Sequence, residues 1–421
     1  MNRRVVITGV GVLAPGAVGR ENFYDLLSAG RTATRPISLF NPDGYRSRIA
    51  AEIDFDPQAL GLTPLQIRRM DRAGQLAVVC QREAIADSGI VIDEALAART
   101  GVSIGSAVGA STGLDQEYSV VSNSGQDWLV GHEDAVPHLF EYMVPVRFAG
   151  DLAAEVGAEG PVTVVSTGCT SGLDSVGYAY DLIREGTADV MVAGATDAPI
   201  TPITVACFDA IKATSPNNDN ADQASRPFDL NRDGFVLGEG ACVLVLEELE
   251  IARRRGAHVY AEIAGFATRS NAYHMTGLKI DGREMAEAIG AAMRQARVNA
   301  DDIDYINAHG SGTRQNDRHE TAAFKRSLGD AAYRTPVSSI KSMIGHSLGA
   351  VGSIELGACA LAIEHDMVPP TANLENADPE CDLDYVPRVA RDTRVTTVLS
   401  VGSGFGGFQS AAVLTTARDA A

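Results

Sequence analysis

Short apolar runs rich in β-branched residues alternate along the chain with longer segments in which apolar residues recur at helical spacing. Runs of the first kind are typical of buried strands, and segments of the second kind are typical of helices. We predict strands at residues 5–11, 102–106, 162–165, 189–195, 242–246, 259–263, 303–307, 336–340, 397–401 and 411–415. We predict helices from Thr63 towards Gly89 and at residues 173–185, 283–297 and 351–364.

Strands that alternate with helices in this way predict an α/β protein with largely parallel sheets covered on both faces. The alternation occurs in both halves of the chain, and no Pro-rich or charged linker separates them. We therefore expect two similar α/β halves, residues 1–255 and 256–421, packed as one unit. Residues 110–145 carry neither pattern and are expected to be irregular.

The composition of the chain limits which partners it can bind and in which compartment it is expected. The formal net charge of −19 on 421 residues argues against nucleic acid or an anionic membrane as a general partner. Six cysteines are scattered without metal-ligand spacing, so neither a disulfide framework nor a metal site is predicted. No signal-peptide pattern opens the chain and no run approaches 18 apolar residues, which predicts a soluble, cytoplasmic protein.

Cys169 follows the predicted strand 162–165 and precedes the predicted helix 173–185, with Gly168 and Gly172 nearby. At such a turn the thiol faces the positive end of a helix and backbone N–H groups. Both favour the thiolate, which is the nucleophilic form. A free cysteine is more often a small core residue, so the turn alone leaves a reactive and a structural role open.

Two histidines favour the reactive role. His309 lies in Asn307-Ala-His-Gly-Ser-Gly-Thr313, and His346 ends Lys341-Ser-Met-Ile-Gly-His346. Each follows a predicted strand and lies among glycines, where a side chain can project into a cleft. One such histidine would more often be structural, but two of them on a chain with a candidate cysteine turn indicate an active site.

Two weaker motif matches are rejected. Residues 9–14 match the dinucleotide-binding pattern, but Pro15 interrupts the helix that should follow and no acidic strand end occurs about 20 residues on. Residues 345–349 match the nucleophile elbow of serine hydrolases, as do residues 109–113. After the serine at 347 only His365 follows, and the intervening acids share one predicted helix, so no triad is available.

The cysteine and histidine motifs, with Ser225-Arg-Pro-Phe-Asp229 and Asp233-Gly-Phe-Val-Leu-Gly-Glu-Gly240, resemble those of β-ketoacyl synthases of the thiolase-fold superfamily. The resemblance spans essentially the whole chain. It implies a thiolase-like fold, in which two similar α/β halves pack as a five-layered αβαβα sandwich. Residues 165–175 and 309–320 further resemble the catalytic α subunit of type II polyketide synthases, whose chain-length-factor partner lacks the nucleophilic cysteine.

The resemblance implies a decarboxylating Cys-His-His enzyme. The glycine-rich residues 402–407 lack the second cysteine of thiolases, and His346 stands where chalcone-synthase-like relatives have Asn. Cys169 would carry the growing acyl chain as a thioester, with its own N–H and that of Phe405 as the oxyanion hole. His309 and His346 would donate Nε2–H to the enolate formed when malonyl thioester loses CO₂.

The family's supporting residues also have counterparts. Lys341 and Glu320 resemble its ion pair, and Asp317 resembles the neighbouring acid. Ser311 and Thr313 fall where the family contacts the pantetheine arm. No cofactor is expected to be resident, because phosphopantetheine is delivered by the acyl carrier protein. Residue 314, an arginine here, is often proline in fatty-acid enzymes, which favours the polyketide branch.

Two partners are implied, the acyl carrier protein and a chain-length factor in a heterodimer. On the helix that begins after Thr63, Arg68, Arg69 and Arg72 are predicted to share one exposed face and to dock the acidic carrier protein. The alternatives are a homodimeric fatty-acid β-ketoacyl synthase and a non-catalytic partner subunit. The intact cysteine and histidines argue against the second.

Overall fold

The computed structural model describes residues 3–127 and 131–417. The strands are β1 Val5–Ala14, β2 Ala17–Val18, β3 Thr34–Pro36, β4 Ile49–Ala51, β5 Thr100–Gly105, β6 Val162–Val165, β7 Val190–Asp197, β8 Leu237–Gly238, β9 Gly240–Glu248, β10 Ala261–Ser270, β11 Tyr305–Asn307, β12 Val337–Ser338, β13 Met367–Val368, β14 Arg391–Asp392, β15 Thr397–Gly404 and β16 Phe408–Thr415. The helices are α1 Arg20–Ala29, α2 Pro64–Arg69, α3 Arg72–Ser88, α4 Glu94–Ala97, α5 Ser111–Val121, α6 Leu139–Met143, α7 Val146–Val156, α8 Ser171–Arg184, α9 Pro202–Ala210, α10 Leu249–Arg254, α11 Arg283–Ala296, α12 Arg314–Leu328, α13 Lys341–Ile344 and α14 Val351–His365.

One hydrogen-bonded path of strands runs through the molecule in the order β12-β11-β15-β16-β10-β1-β9-β7-β5-β6. A short antiparallel pairing between β1 and β10 joins two groups of five strands. Each group has two antiparallel pairings followed by two parallel ones, which are β7-β5-β6 in the first half and β15-β11-β12 in the second. The two halves therefore share one topology.

The prediction of largely parallel sheets is wrong, because both groups are mixed. β1, β9 and β7 are antiparallel neighbours, yet they are buried along nearly their whole length. A strand covered by helices on both faces is apolar throughout, whichever way its neighbour runs. The apolar run therefore reports burial and not strand direction.

Helices and sheets form five layers, which confirms the thiolase-like sandwich. α3 and α7 cover the outer face of the first group of strands, and α11 with α12 covers the outer face of the second. α8 and α14 pack against each other between the two groups. Their close approach depends on glycine, because a Cβ on Gly172 would lie 2.5 Å from the Ser353 nitrogen and one on Gly352 would lie 2.6 Å from the Leu173 nitrogen.

The middle layer also explains one unusually apolar segment. Leu348–His365 has the length and the mean hydropathy, 1.2, of a helix able to cross a membrane, but 89% of it is buried inside the protein. Most of it is α14, which is enclosed between the two groups of strands. We therefore assign it to the core of the sandwich.

Two predicted elements differ in the structure. The helix expected from Thr63 towards Gly89 is two helices, since Met70 is extended and Asp71 caps α3 by accepting the Ala73 N–H. Within residues 110–145, expected to be irregular, α5 and α6 occur. α5 contains a Ser-Thr-Gly start and few buried apolar residues, so its pattern carries little helical periodicity.

Candidate active site

The cysteine turn connects β6 to α8. Cys169 lies in the tight turn Gly168–Thr170, where Gly168 has a φ of +61° that a larger residue would adopt only with strain. Behind the turn the Asp174 carboxylate accepts hydrogen bonds from the hydroxyls of Thr167 (2.6 Å), Thr170 (2.9 Å) and Ser410 (2.5 Å). These bonds fix Cys169 against β16 of the second half.

The backbone on both sides of His309 is held by the side chains of Glu320 and Lys341. Glu320 accepts the N–H of His309 at 2.5 Å and that of Gly310 at 2.8 Å. The Lys341 ammonium donates to the His309 carbonyl. The His309 ring is thereby positioned at the end of β11 through its two flanking peptide groups.

His346 is held by the strand that follows the Asp233 loop. Its N–H donates to the Val236 carbonyl at 2.8 Å, and its carbonyl accepts from the Gly238 N–H at 2.9 Å. The His346 ring lies edge-on to the His309 ring, with centroids 5.3 Å apart, and edge-on to the Phe235 ring at 5.2 Å. The two imidazole rings therefore pack directly against each other.

Cys169, both histidines and Phe405 line a single cavity of about 470 Å³. The N–H groups of Phe405 and of Cys169 itself are directed at the cysteine sulfur, so both donors lie next to the position where a carbonyl attacked by that sulfur would develop an oxyanion. Ser311 and Thr313 also line the cavity, and their hydroxyl oxygens are 3.0 Å apart. The structure thus brings these predicted residues together from both halves of the chain.

The predicted ion pair between Lys341 and Glu320 is wrong. Lys341 forms its salt bridge with Glu355 on α14, and both side chains are 1% exposed. Glu320 instead anchors the peptide groups of the His309 turn. Glu355 is on α14, in the middle layer of the sandwich, and its carboxylate there contacts the Lys341 ammonium.

Asp317 connects the histidine turn to a buried arginine. Its carboxylate is 3.0 Å from the Arg232 guanidinium and accepts the N–H of Phe228 at 2.9 Å and of Gly312 at 3.3 Å. Arg232 is fully buried and is also paired with Asp378 at 2.7 Å. Asp317 therefore joins the Ser225–Asp229 loop to the turn that carries His309 and Ser311.

Both active-site imidazoles are neutral at physiological pH. Burial lowers the pKa of His309 well below its usual value, and Lys341 and His346 lower it further. Burial and the Lys341 charge lower the pKa of His346 in the same way. A neutral imidazole carries one N–H, which is the group that stabilises a developing oxyanion by hydrogen bonding.

The expectation that the turn favours a thiolate is wrong for the free protein. Burial raises the pKa of the Cys169 thiol to about 11, although Lys341 and the Phe405 N–H oppose the rise. Desolvation of the thiolate outweighs the helix end, whose effect is confined to the first turn. Cys169 therefore rests as a thiol.

Comparison with known proteins identifies the site. The model of the β-ketoacyl synthase N-terminal domain matches residues 2–252, and that of the β-ketoacyl synthase C-terminal domain matches residues 260–375. This chain belongs to the β-ketoacyl synthase family. The active site described above is thus that of a condensing enzyme.

Three relatives place this synthase within the family. It is 71% identical to the tetracenomycin polyketide synthase ketoacyl synthase alpha subunit of Streptomyces glaucescens, over 98% of this chain and 97% of the relative. It is similar to a chain of a type II polyketide synthase acyl-carrier protein in complex with its ketosynthase bound to the hexaketide (TM-score 0.92, 35% identity, 99% and 100% coverage). It is also similar to a chain of the ishigamide ketosynthase/chain length factor (TM-score 0.90, 36% identity, 99% and 100% coverage).

The synthase contains one further buried carboxylate at the site that the sequence did not indicate. Asp197 ends β7 and accepts the N–H groups of Ala107 (2.9 Å), Val108 (3.2 Å) and Gly349 (2.7 Å), together with the Ser106 hydroxyl (2.7 Å). It joins the loop after β5 in the first half to the turn that follows His346 in the second. In the sequence, the feature that could have indicated Asp197 is the position of an acid at the end of an apolar strand.

The prediction that Arg68, Arg69 and Arg72 share one exposed face holds for the first two residues and is wrong for Arg72. Arg68 and Arg69 are exposed on α2, and Arg69 forms an ion pair with Glu141 at 2.5 Å. Arg72 belongs to α3, where it donates to both oxygens of buried Glu239 and to the Ile53 carbonyl. Because the chain turns at Met70, Arg72 leaves the surface and serves the fold.

The resting thiol leads to a testable pH profile. Alkylation of Cys169 by iodoacetamide is expected to accelerate about tenfold per pH unit from pH 7 to pH 9, because the thiolate fraction rises tenfold per unit below a pKa of about 11. The measurement is peptide mass spectrometry in a Cys207→Ser background, since Cys207 is exposed and would also react. A rate that levels off near pH 7 would show a thiolate at rest.

Proposed function

We propose that this chain is the catalytic α subunit of a type II polyketide synthase, which elongates a poly-β-keto chain on an acyl carrier protein with malonyl units. The observation that carries the proposal is the convergence of Cys169, His309, His346 and the Phe405 N–H on one cavity. The 71% identity to the tetracenomycin subunit supports the polyketide branch over a fatty-acid synthase.

The first step is acyl transfer. The Cys169 sulfur attacks the thioester carbonyl of the carrier-bound chain, and its proton passes to the departing carrier thiol. The tetrahedral oxyanion accepts the N–H groups of Cys169 and Phe405. The resting thiol loses its proton only as this bond forms, so the sulfur need not be charged between turnovers.

The second step is decarboxylative condensation. A malonyl thioester loses CO₂, and the electron pair of the broken bond becomes an enolate whose oxygen accepts N–H bonds from His309 and His346. The enolate carbon attacks the carbonyl of the Cys169 thioester, the carbon–sulfur bond breaks, and the cysteine thiolate that leaves takes a proton from solvent water. Burial, followed by the Lys341 charge, keeps both imidazoles neutral, and a neutral ring can donate its N–H to the enolate oxygen.

The substrate arm is part of the proposal. The phosphopantetheine of the carrier protein would enter the cavity, where the Ser311 and Thr313 hydroxyls line its path and are placed to bond its amides. The arm remains on the carrier protein, so we expect no resident cofactor. The biosynthetic relatives support a cytoplasmic location.

The proposed partner is a chain-length factor. β6, directly before the cysteine turn, ends the path of strands, and the Val162 side chain at its start is 41% exposed. An open strand edge of this kind offers backbone groups to a strand from a second chain. The similarity to a ketosynthase/chain length factor supports a heterodimer through this edge.

The decisive experiment reconstitutes the chain with a chain-length factor and an acyl carrier protein of a type II polyketide synthase, and with malonyl donor. We expect carrier-bound masses that grow by successive two-carbon ketide units, and little elongation by the chain alone. Length-controlled synthesis by the chain alone would establish the homodimeric fatty-acid alternative. Absence of any condensation product, with Cys169 acylated, would contradict a catalytic role in elongation.

Carrier docking gives a second prediction. Arg68→Glu combined with Arg69→Glu should raise the KM for carrier-bound substrate several-fold and flatten its dependence on salt, since exposed arginines act by screened attraction. Turnover of a pantetheine thioester should not change. Arg269→Glu, which reverses an exposed charge at the end of β10, is the control. An equal loss with both substrates would assign these arginines to the fold.

A further inference from the structure

Two cations stand at the mouth of the active-site cavity. Lys212 and Arg314 both line it, and both side chains are exposed. They come from different halves of the chain, Lys212 from the segment after α9 and Arg314 from the first residue of α12. Each half of the synthase therefore contributes one positive charge to the entrance, although the formal net charge of the chain is −19.

The other permanent charges lining the cavity are already neutralised. Arg232 is buried between Asp317 and Asp378. Asp233 is 3.4 Å from the Arg226 guanidinium and accepts the Ser215 hydroxyl at 2.7 Å. Across residues 3–127 and 131–417, neither Lys212 nor Arg314 has an ion-pair partner. The mouth thus carries two uncompensated positive charges.

Arg314 contributes nothing favourable to its own helix. It is the first residue of α12, directly after the N-cap Thr313, whose hydroxyl accepts the Asn316 N–H. A cation in the first turn of a helix opposes the helix dipole and is therefore unfavourable there. Proline is preferred at this position because the first N–H has no partner inside the helix. Arg314 is unfavourable for its own helix and lines the cavity. We therefore infer that it binds a ligand there.

We propose that Arg314 and Lys212 bind the phosphodiester of the carrier protein's phosphopantetheine arm. The inference rests on the proposed function, which requires the thioester end of that arm to reach Cys169. With the thioester at the cysteine and the amides beside Ser311 and Thr313, the phosphodiester lies towards the mouth. A guanidinium binds phosphate oxygens through two parallel N–H bonds, and an ammonium adds a point charge.

The arrangement selects substrates by charge. A negatively charged protein repels an anionic arm at long range, so binding depends on local positive groups. Donors that lack the phosphate, such as pantetheine thioesters, would forgo the contact while still filling the inner cavity. A comparison of donors with and without the phosphate therefore measures the contribution of Lys212 and Arg314 separately from that of residues deeper in the channel.

The test measures acylation of Cys169 by mass spectrometry from three donors with the same acyl group: acyl carrier protein, free phosphopantetheine thioester and pantetheine thioester. In Arg314→Gln and Lys212→Gln, the KM for both phosphorylated donors should rise roughly tenfold, as expected for loss of one charged hydrogen bond. The KM for the pantetheine thioester should not change. Arg269→Gln is the matched control, and the melting temperature checks the fold of each variant.

Two results would overturn the inference. An equal rise in KM for the pantetheine thioester would assign the two residues to the channel in general. A rise with the carrier protein alone, and not with free phosphopantetheine thioester, would assign them to the carrier surface. Failure of the unmodified synthase to acylate Cys169 from any donor is a separate outcome, because it would overturn the proposed function.

Discussion

Replacement of Cys169 by alanine is expected to lower acyl transfer by at least about 10³-fold, because the step forms a covalent bond to this sulfur. No other described cysteine lies in the cavity with the two histidines. Cys80, Cys242, Cys359 and Cys381 are buried elsewhere, and Cys207 is exposed on α9. The loss should occur without unfolding, since the alanine methyl fits where the thiol stood.

Mass spectrometry after incubation with acyl carrier protein measures the outcome. The wild-type synthase should carry the acyl group on the Cys169 peptide, and the Cys169→Ala variant should carry none. Cys207→Ser is the control, and it should retain full transfer. An adduct on Cys207 or Cys359 would contradict the assignment.

The turns of the active site could be predicted from the sequence because each combines an apolar strand with glycines. Val162–Val165 precedes Cys169, and β11 precedes His309 by two residues. Strand burial and tight turns are local properties, so neighbouring residues record them. The direction of neighbouring strands is not a local property, so the residue pattern does not indicate that the sheets are mixed.

The partner of Lys341 could not be predicted for a related reason. Glu320 and Glu355 are both acids on helices that follow active-site turns, so sequence position favours neither. Which carboxylate reaches the ammonium depends on how α12 and α14 pack around it. α14 lies in the middle layer and brings Glu355 inward, while α12 lies outside and leaves Glu320 to the backbone of His309.

The prediction that Arg72 is exposed on one continuous helix is wrong, and the sequence contains a feature that argues against it. The apolar spacing from Ile67 to Val78 continues across the break between α2 and α3, which made one helix the natural prediction. Asp71 is a strong N-cap residue within that pattern, and its side chain caps α3. A second cap eight residues after Thr63 therefore marked a new helix.

The protonation state of Cys169 differs from what its neighbouring residues in the sequence predict. The helix end and two backbone N–H groups do favour the thiolate, and they are present. The depth of the cavity is set by segments from both halves, including Phe405 and His346, and no local pattern reports it. Desolvation therefore decides the pKa.

Replacement of His309 by alanine is expected to lower malonyl decarboxylation by about 10²- to 10³-fold, the usual effect of removing one donor to a developing oxyanion. His309 is 3% exposed, neutral and fixed through its backbone by Glu320 and Lys341. Because those contacts use the peptide groups, the alanine variant keeps them. The loss should therefore report the ring alone.

The same variant should leave Cys169 open to acylation, since the oxyanion hole of that step uses the N–H groups of Cys169 and Phe405. Release of labelled CO₂ from malonyl carrier protein and acylation of the Cys169 peptide are measured on one preparation. His309→Asn is the matched control, because its side-chain amide keeps an N–H donor and should retain more decarboxylation than alanine. Undiminished CO₂ release in His309→Ala would remove His309 from the enolate site, and a parallel loss of acylation would show that the ring positions Cys169 instead.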